Sequence, residues 1–241
     1  MPLVIQKYGG SSLNSLKRIK KVAQRVLQAK KEGNDIVVVV SAMGDTTDEL
    51  LALALQVDSH PPKRELDMLL STGEIISCAL LSTALHSLGA KSISFSGSQI
   101  RIITDEAHTK ARILKIETKK ILKEIEKNKI VVVAGYQGTT SQGTITTLGR
   151  GASDTTAVAL AAALKADMCE IYSDVEGVYT ADPRIIPQAR KLKHISYEEM
   201  LEMASLGAKV IHLRAVEMAR RYGVSLHIRS SFSQKEGTII D

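Results

Sequence analysis

The sequence predicts an α/β protein, a three-layer αβα sandwich around a mostly parallel central sheet. Short apolar runs alternate with stretches of helical periodicity along the whole chain. Two of those runs, residues 36–40 and 130–133, are unbroken valine and isoleucine. A strand with one solvent face alternates polar and apolar residues. A strand apolar at every position is covered on both faces, as in a parallel sheet flanked by helices. The length of 241 residues, 44% of them hydrophobic, supplies the core for one large α/β domain or two small lobes.

The first strand, "LVIQKY" (3–8), runs into "GGSS" and an amphipathic helix. Strands follow at "DIVVVVSA" (35–42), "KSISFS" (91–96), "KIVVVAGY" (129–136), "MCEIYS" (168–173) and "VSLHIR" (224–229), with helical stretches between them. The segment "TTSQGTITT" (139–147) reads as an inserted hairpin, placed to lean over a site as a flap. Open α/β sheets bind ligands beyond the carboxyl ends of their strands, where Lys7, Ser41, Gly135 and Ser173 fall.

Charge and cysteine usage narrow the function. Lys and Arg number 32 against 26 Asp and Glu, a formal charge of +6 that suits an anionic ligand. There is no Trp and only two Phe, and the lysines are spread over solvent-type helix faces such as "KKILKEIEKNK", so nucleic acid is not an expected partner. No window approaches the roughly 18 unbroken apolar residues of a membrane span, and no signal peptide is read, so a soluble, cytoplasmic protein with no membrane partner is expected. Cys78 and Cys169 sit far apart in apolar runs and read as buried thiols. Six scattered histidines lack metal-ligand spacing, and no residue is assigned to a metal. The P-loop pattern and the protein-kinase signatures are both missing.

Several residues stand out chemically. Gly9 and Gly10 leave backbone N–H groups open to a ligand where the first strand hands over to a helix. In "TTLGRGASDTTAVALAAALKAD", Ser153 or Asp154 is placed to cap an alanine-rich helix, which needs no function, but Arg150 between two glycines suits a bidentate clamp on a carboxylate or phosphate. Glu74 shares a helix face with Leu70, Cys78 and Leu81. It reads either as first-turn dipole stabilisation after a Ser71 or Thr72 cap or as the receiver of a substrate ammonium. Arg150 and Glu74 together would describe an amino-acid pocket. Lys7, and Lys209 at a glycine-marked helix start, suit the oxygens of a polyphosphate.

The blocks "KYGGSS", "VVSAMGDTTDELL", "STGE", "TTLGRGASDTTA", "YSDVEGVYTADPRI" and "GAKVIHLRAVE", in this order, resemble the catalytic domain of aspartate kinases within the amino-acid kinase fold. The resemblance runs from Leu3 to about Gly237. It implies transfer of the γ-phosphoryl group of ATP to the side-chain carboxylate of L-aspartate, giving 4-phospho-L-aspartate, the first step toward lysine, threonine and methionine. It implies Lys7 and Asp154 as catalytic residues, and Ser41, Thr47, Glu74, Arg150, Gly151 and Ser153 as substrate contacts. The implied nucleotide set is Lys7, Gly9, Gly10, Ser11, Ser173, Asp174, Tyr179, Arg184, Lys209 and Val210. Mg²⁺ is implied as part of MgATP, held largely by phosphates and water. The N-terminal part would bind aspartate and the C-terminal part ATP.

Asp154 reads either as orienting Lys7 or as organising the metal shell. Ala152, where a third glycine is common, and Ile100 with Arg101 depart from the pattern without removing a charge contact. No ACT regulatory domain is expected within residues 1–241, nor a response to lysine or threonine. A homodimer is left open. The alternative is a pseudokinase or sensor that binds ATP or an amino acid without turnover.

Overall fold

The computed structural model describes residues 1–149, 151–208 and 210–241, so Arg150 and Lys209 lie outside the described residues. The first half of the chain forms β1 (Leu3–Tyr8), α1 (Gly10–Leu13), α2 (Leu16–Lys31), β2 (Asp35–Val40), α3 (Thr46–Val57), α4 (Lys63–Ser87) and β3 (Ser92–Phe95). Then come β4 (Ile102–Thr104), β5 (Ile113–Ile116), α5 (Lys119–Glu126), β6 (Ile130–Ala134), β7 (Gln137–Thr139) and β8 (Ile145–Thr147). The remainder is α6 (Ala152–Leu164), β9 (Met168–Ser173), β10 (His194–Ile195), α7 (Tyr197–Ser205), α8 (Leu213–Tyr222), β11 (Leu226–Ser230) and β12 (Thr238–Ile240).

The central sheet has the order β10-β12-β11-β9-β1-β2-β6-β3. Strands β3, β6, β2, β1, β9 and β11 are parallel, and β12 runs antiparallel to β11. The expected mostly parallel sheet is therefore present. Strand β1 lies between β2 and β9, with Lys7 opposite Val39 on one side and Ile171 on the other. The chain builds outward from β1 in both directions, so the strand order reverses here. At such a reversal the crevice beyond the carboxyl ends of the strands is the favoured ligand position.

Strand β2 shows why its sequence does not alternate. Val37 and Val39 pack with Ala157, Leu160, Ala215 and Val216 of α6 and α8. Ile36, Val38 and Val40 face the opposite way, onto Ile19, Val22 and Val26 of α2 and Cys78, Leu81 and Leu85 of α4. Full burial of each such side chain is worth about 1.5–3 kcal/mol, so a polar residue at any of positions 36–40 would weaken one core or the other. On the α2 side, Tyr8 and Tyr172 stack with ring centroids 4.7 Å apart and planes 7° from parallel. Glu170 lies beside them, accepting from Gln6 Nε2 at 2.8 Å, Tyr172 Oη at 3.1 Å and Arg229 Nη1 at 2.8 Å.

Strands β5-β4-β7-β8 form a second sheet. The hairpin read at 139–147 exists as antiparallel β7 and β8, with Thr139 opposite Ile145. It is not a loose flap: Thr139, Thr146 and Thr147 are buried, and Thr146 Oγ1 lies 2.7 Å from Thr104 Oγ1 of β4. Buried hydroxyls that satisfy one another fix the hairpin in place. Strands β4 and β5 escape the sequence reading because they are three and four residues long and a register irregularity falls between Ile103 and Thr104.

Helix α4 is, by length and composition, apolar enough to cross a membrane, with an 18-residue window of mean hydropathy 1.6. Half of that window is buried within the protein, and the buried face carries Asp67 and Glu74, which marks a core helix. Cys78 and Cys169 are buried free thiols, and burial pushes Cys78 up to about 12.

Candidate active site

The pleat of β1 sends Tyr8 toward α2 and Lys7 toward α6. Lys7 Nζ meets Asp154 Oδ1 at 2.7 Å, with both side chains about one-tenth exposed. Asp154 lies in the first turn of α6, and its Oδ2 also accepts from the backbone N–H of His212 at 3.3 Å. The cap of α6 is neither Ser153 nor Asp154. It is Gly151, in the left-handed region at φ 73°, with no side-chain capping bond. Asp154 is thereby free to pair with Lys7, and the first-turn N–H groups keep their potential for an anion. A Cβ on Gly151 would stand 2.2 Å from His212 Cδ2, so only glycine fits this approach.

Glu74 is not in a first turn. Helix α4 starts at Lys63, and Ser71 and Thr72 do not cap it: their hydroxyls donate back to the Met68 and Leu69 carbonyls at 2.8 and 2.7 Å. The face shared with Leu70, Cys78 and Leu81 is buried as expected. Gly73 lets the helix close on the end of β2, since a Cβ there would come within 2.9 Å of Ala42 Cβ. Glu74 Oε1 consequently accepts from Ala42 N–H at 3.1 Å, while Oε2 is buried without a partner. Burial pushes its carboxyl up to about 8, an effect the Ala42 N–H only partly offsets.

These groups share one cavity of about 270 Å³. Of the residues singled out in the sequence, Lys7, Gly10, Ser41 and Thr47 line it from the β1, β2 and α3 side. Glu74 lines it from α4, and Gly151, Ser153 and Asp154 from the start of α6. A larger groove of about 680 Å³ lies on the opposite face, between α2 and residues 231–234. Its floor is the tyrosine stack and the Glu170 cluster, whose charges are already paired. The smaller cavity holds an unpaired buried carboxylate oxygen and lies at the strand-order reversal, where ligand chemistry is favoured.

The sequence profile described as the Amino acid kinase family matches residues 2–230. The chain belongs to the amino acid kinase family. Among curated members, this amino acid kinase is 60% identical to the aspartokinase of Bacillus sp. (strain MGA3), over all of this chain and 59% of that one. It thus spans about three-fifths of the length of that relative. Among solved structures, the aspartate kinase from Synechocystis superposes with a TM-score of 0.88 at 52% identity, over 99% of this chain and 39% of the other. E. coli aspartokinase III in complex with aspartate and ADP also gives 0.88, at 26% identity, over 99% of this chain and 64% of the other.

The residues read as nucleotide contacts fall into two groups. With Tyr8 opposite Tyr172, the segments Gly9–Ser11 and Ser173–Asp174 leave the sheet side by side, and Gly9 N–H donates to the Tyr172 carbonyl at 3.3 Å, so that group is engaged rather than open to a ligand as the sequence suggests. Ser11 is exposed, and its carbonyl accepts from Arg18. Ser173, Asp174, Tyr179, Arg184 and Val210 do not line the 270 Å³ cavity. Tyr179 bridges to Lys191, and the exposed Arg184 is paired with Asp182 through Nε at 3.0 Å and Nη2 at 2.8 Å. Arg150 and Lys209 lie outside the described residues.

Asp48 and Tyr136 line the cavity and were not singled out in the sequence. Tyr136 follows Gly135 at the carboxyl end of β6 with φ 64°, and that strand-end position was the available signal. Asp48 resembled an ordinary first-turn acid of α3.

Proposed function

We propose that this amino acid kinase transfers the γ-phosphoryl group of ATP to the side-chain carboxylate of L-aspartate, giving 4-phospho-L-aspartate and ADP. The observation that carries the reading is the single cavity in which an unpaired buried glutamate faces a lysine–aspartate pair and a helix start. Glu74 Oε2 lacks a donor, and a substrate ammonium supplies one. Arg150, on sequence grounds, takes the α-carboxylate, with Ser41, Thr47, Gly151 and Ser153 completing the pocket. The N-terminal part of the chain then binds aspartate and the C-terminal part ATP. The nucleotide is placed across Gly9, Gly10 and Ser11 toward Ser173, Asp174, Tyr179, Arg184, Lys209 and Val210.

A carboxylate is already nucleophilic at neutral pH, so the protein needs no strong base. One aspartate side-chain oxygen bonds to the γ-phosphorus as the bond from that phosphorus to the β–γ bridging oxygen breaks, and ADP leaves with the electron pair. The barrier is set by positioning and by repulsion between two anions. Lys7 offsets that repulsion at the transferring group, Asp154 holds Lys7 in place, and Lys209 adds a second positive charge. Mg²⁺ enters with the nucleotide as MgATP. Such an ion would be held largely by the phosphates and water. We assign the activity to the cytoplasm.

Hydroxylamine trapping of the acyl phosphate, with MgATP and L-aspartate, tests the reading. Hydroxamate formation that depends on both substrates is expected. Binding of both without hydroxamate would instead identify a pseudokinase.

A further inference from the structure

Asp67 lies two turns before Glu74 on the same face of α4 and is fully buried. Its carboxylate accepts from His108 Nδ1 at 2.6 Å, from the Thr109 backbone N–H at 3.0 and 3.1 Å, and from Thr147 Oγ1 at 2.5 Å. None of these residues lines the 270 Å³ cavity. They instead gather the two stretches of chain that lead into it.

Thr147 ends β8, and the chain then runs through Leu148, Gly149 and Gly151 into α6. The loop between β4 and β5 lies over this stretch: Ala111 N–H donates to the Thr147 carbonyl at 2.9 Å, and the Thr109 carbonyl stands 3.4 Å from where a Cβ on Gly149 would be. Ala111, Leu148 and Ala152 form their own small apolar cluster. Thr109 is held in the left-handed region at φ 69°, a conformation a β-branched residue keeps only when its surroundings impose it. The bonds from its N–H to Asp67 are such an imposition.

We propose that Asp67 and His108 act as a positioning pair. They clamp the β8-to-α6 stretch beneath the β4–β5 loop and thereby set the affinity for the amino-acid substrate rather than for the nucleotide. The substrate named here rests on the aspartate kinase reading, while the clamp itself is a property of the chain and is testable without substrate.

His108→Ala removes the partly exposed partner and leaves Asp67 bonded to Thr109 and Thr147. In this variant the KM for aspartate is expected to rise about tenfold, with the KM for ATP and kcat within twofold of the parent. Backbone amides of Leu148, Gly149, Gly151 and Ala152 should exchange faster with solvent, and His108→Gln, which offers an N–H donor, should restore much of both. Asp67→Asn should move the same quantities further. An unchanged aspartate KM with unchanged exchange in His108→Ala overturns the proposal, as does an equal rise in both KM values, which would indicate general loosening. If the parent does not phosphorylate aspartate, the functional reading fails, and the exchange of Leu148, Gly149, Gly151 and Ala152 still decides the clamp.

Discussion

Lys7 Nζ and Asp154 Oδ1 stand 2.7 Å apart, tying the carboxyl end of β1 to the first turn of α6 through a pair that is almost closed to solvent. Both partners lie at the strand-order reversal, so this contact joins the sheet to the cavity at the point where phosphoryl transfer is proposed.

Lys7→Met is expected to abolish turnover while the protein still folds and binds both substrates, because a contact made chiefly in the transition state appears in kcat. Leaving Asp154 without its cation should cost about 1–3 kcal/mol of stability. Denaturant unfolding should show this loss, and adding Asp154→Asn should recover part of it without restoring activity. Substantial steady-state turnover by Lys7→Met would remove Lys7 from the catalytic set.

Glu74 gives a pH prediction. Its carboxyl is pushed up to about 8 from the ordinary 4.5, so between those values the folded protein holds a proton that the unfolded chain releases. Stability of the unliganded protein should fall as pH rises through this window and level off above it, and Glu74→Gln should flatten the slope. At pH 7, docking an ammonium against Glu74 should expel its proton. Calorimetry of aspartate binding in buffers of different ionisation enthalpy should register that release, and buffer-independent heats would argue against the contact.

Gly151→Ala meets two obstacles, φ 73° and the His212 ring. A left-handed alanine costs about 1–2 kcal/mol, and the overlap with His212 adds to it. A raised KM for aspartate and a lowered Tm are expected. The further change His212→Ala should relieve the overlap but not the backbone term, so recovery should be partial. Full activity in Gly151→Ala would mean that the start of α6 adapts freely.

Arg150→Ala tests the proposed α-carboxylate clamp. Losing a charge-assisted contact of about 1.5–3 kcal/mol corresponds to roughly ten- to a hundredfold weaker aspartate binding, with ATP little affected. Equal weakening of both ligands would transfer Arg150 to the nucleotide.

The parallel strands were legible because burial on both faces leaves an unmistakable run, as in Ile36–Val40. The short strands β4, β5, β10 and β12 leave no such trace, since two to four residues barely display a period, and in the β4–β5 pair the register also shifts between Ile103 and Thr104. Glu74 was legible as a carboxylate among apolar neighbours but was misplaced on its helix. The polar segment "KREL" hides the true start of α4, although Pro62 before Lys63 and Glu65 in the first turn mark it. Asp67 carries no local signal at all, because its partners lie 41 to 80 residues away.

Adjacent residues of β1 answer to different masters. Lys7 faces the cavity, while Tyr8, one peptide bond later, is locked in the ring stack on the far side of the sheet. The strand is therefore a party wall between two rooms. Random mutagenesis of residues 3–8 should yield a two-beat record, with changes at Lys7 removing the proposed turnover at a modest cost in stability and changes at Tyr8 chiefly unsettling the fold.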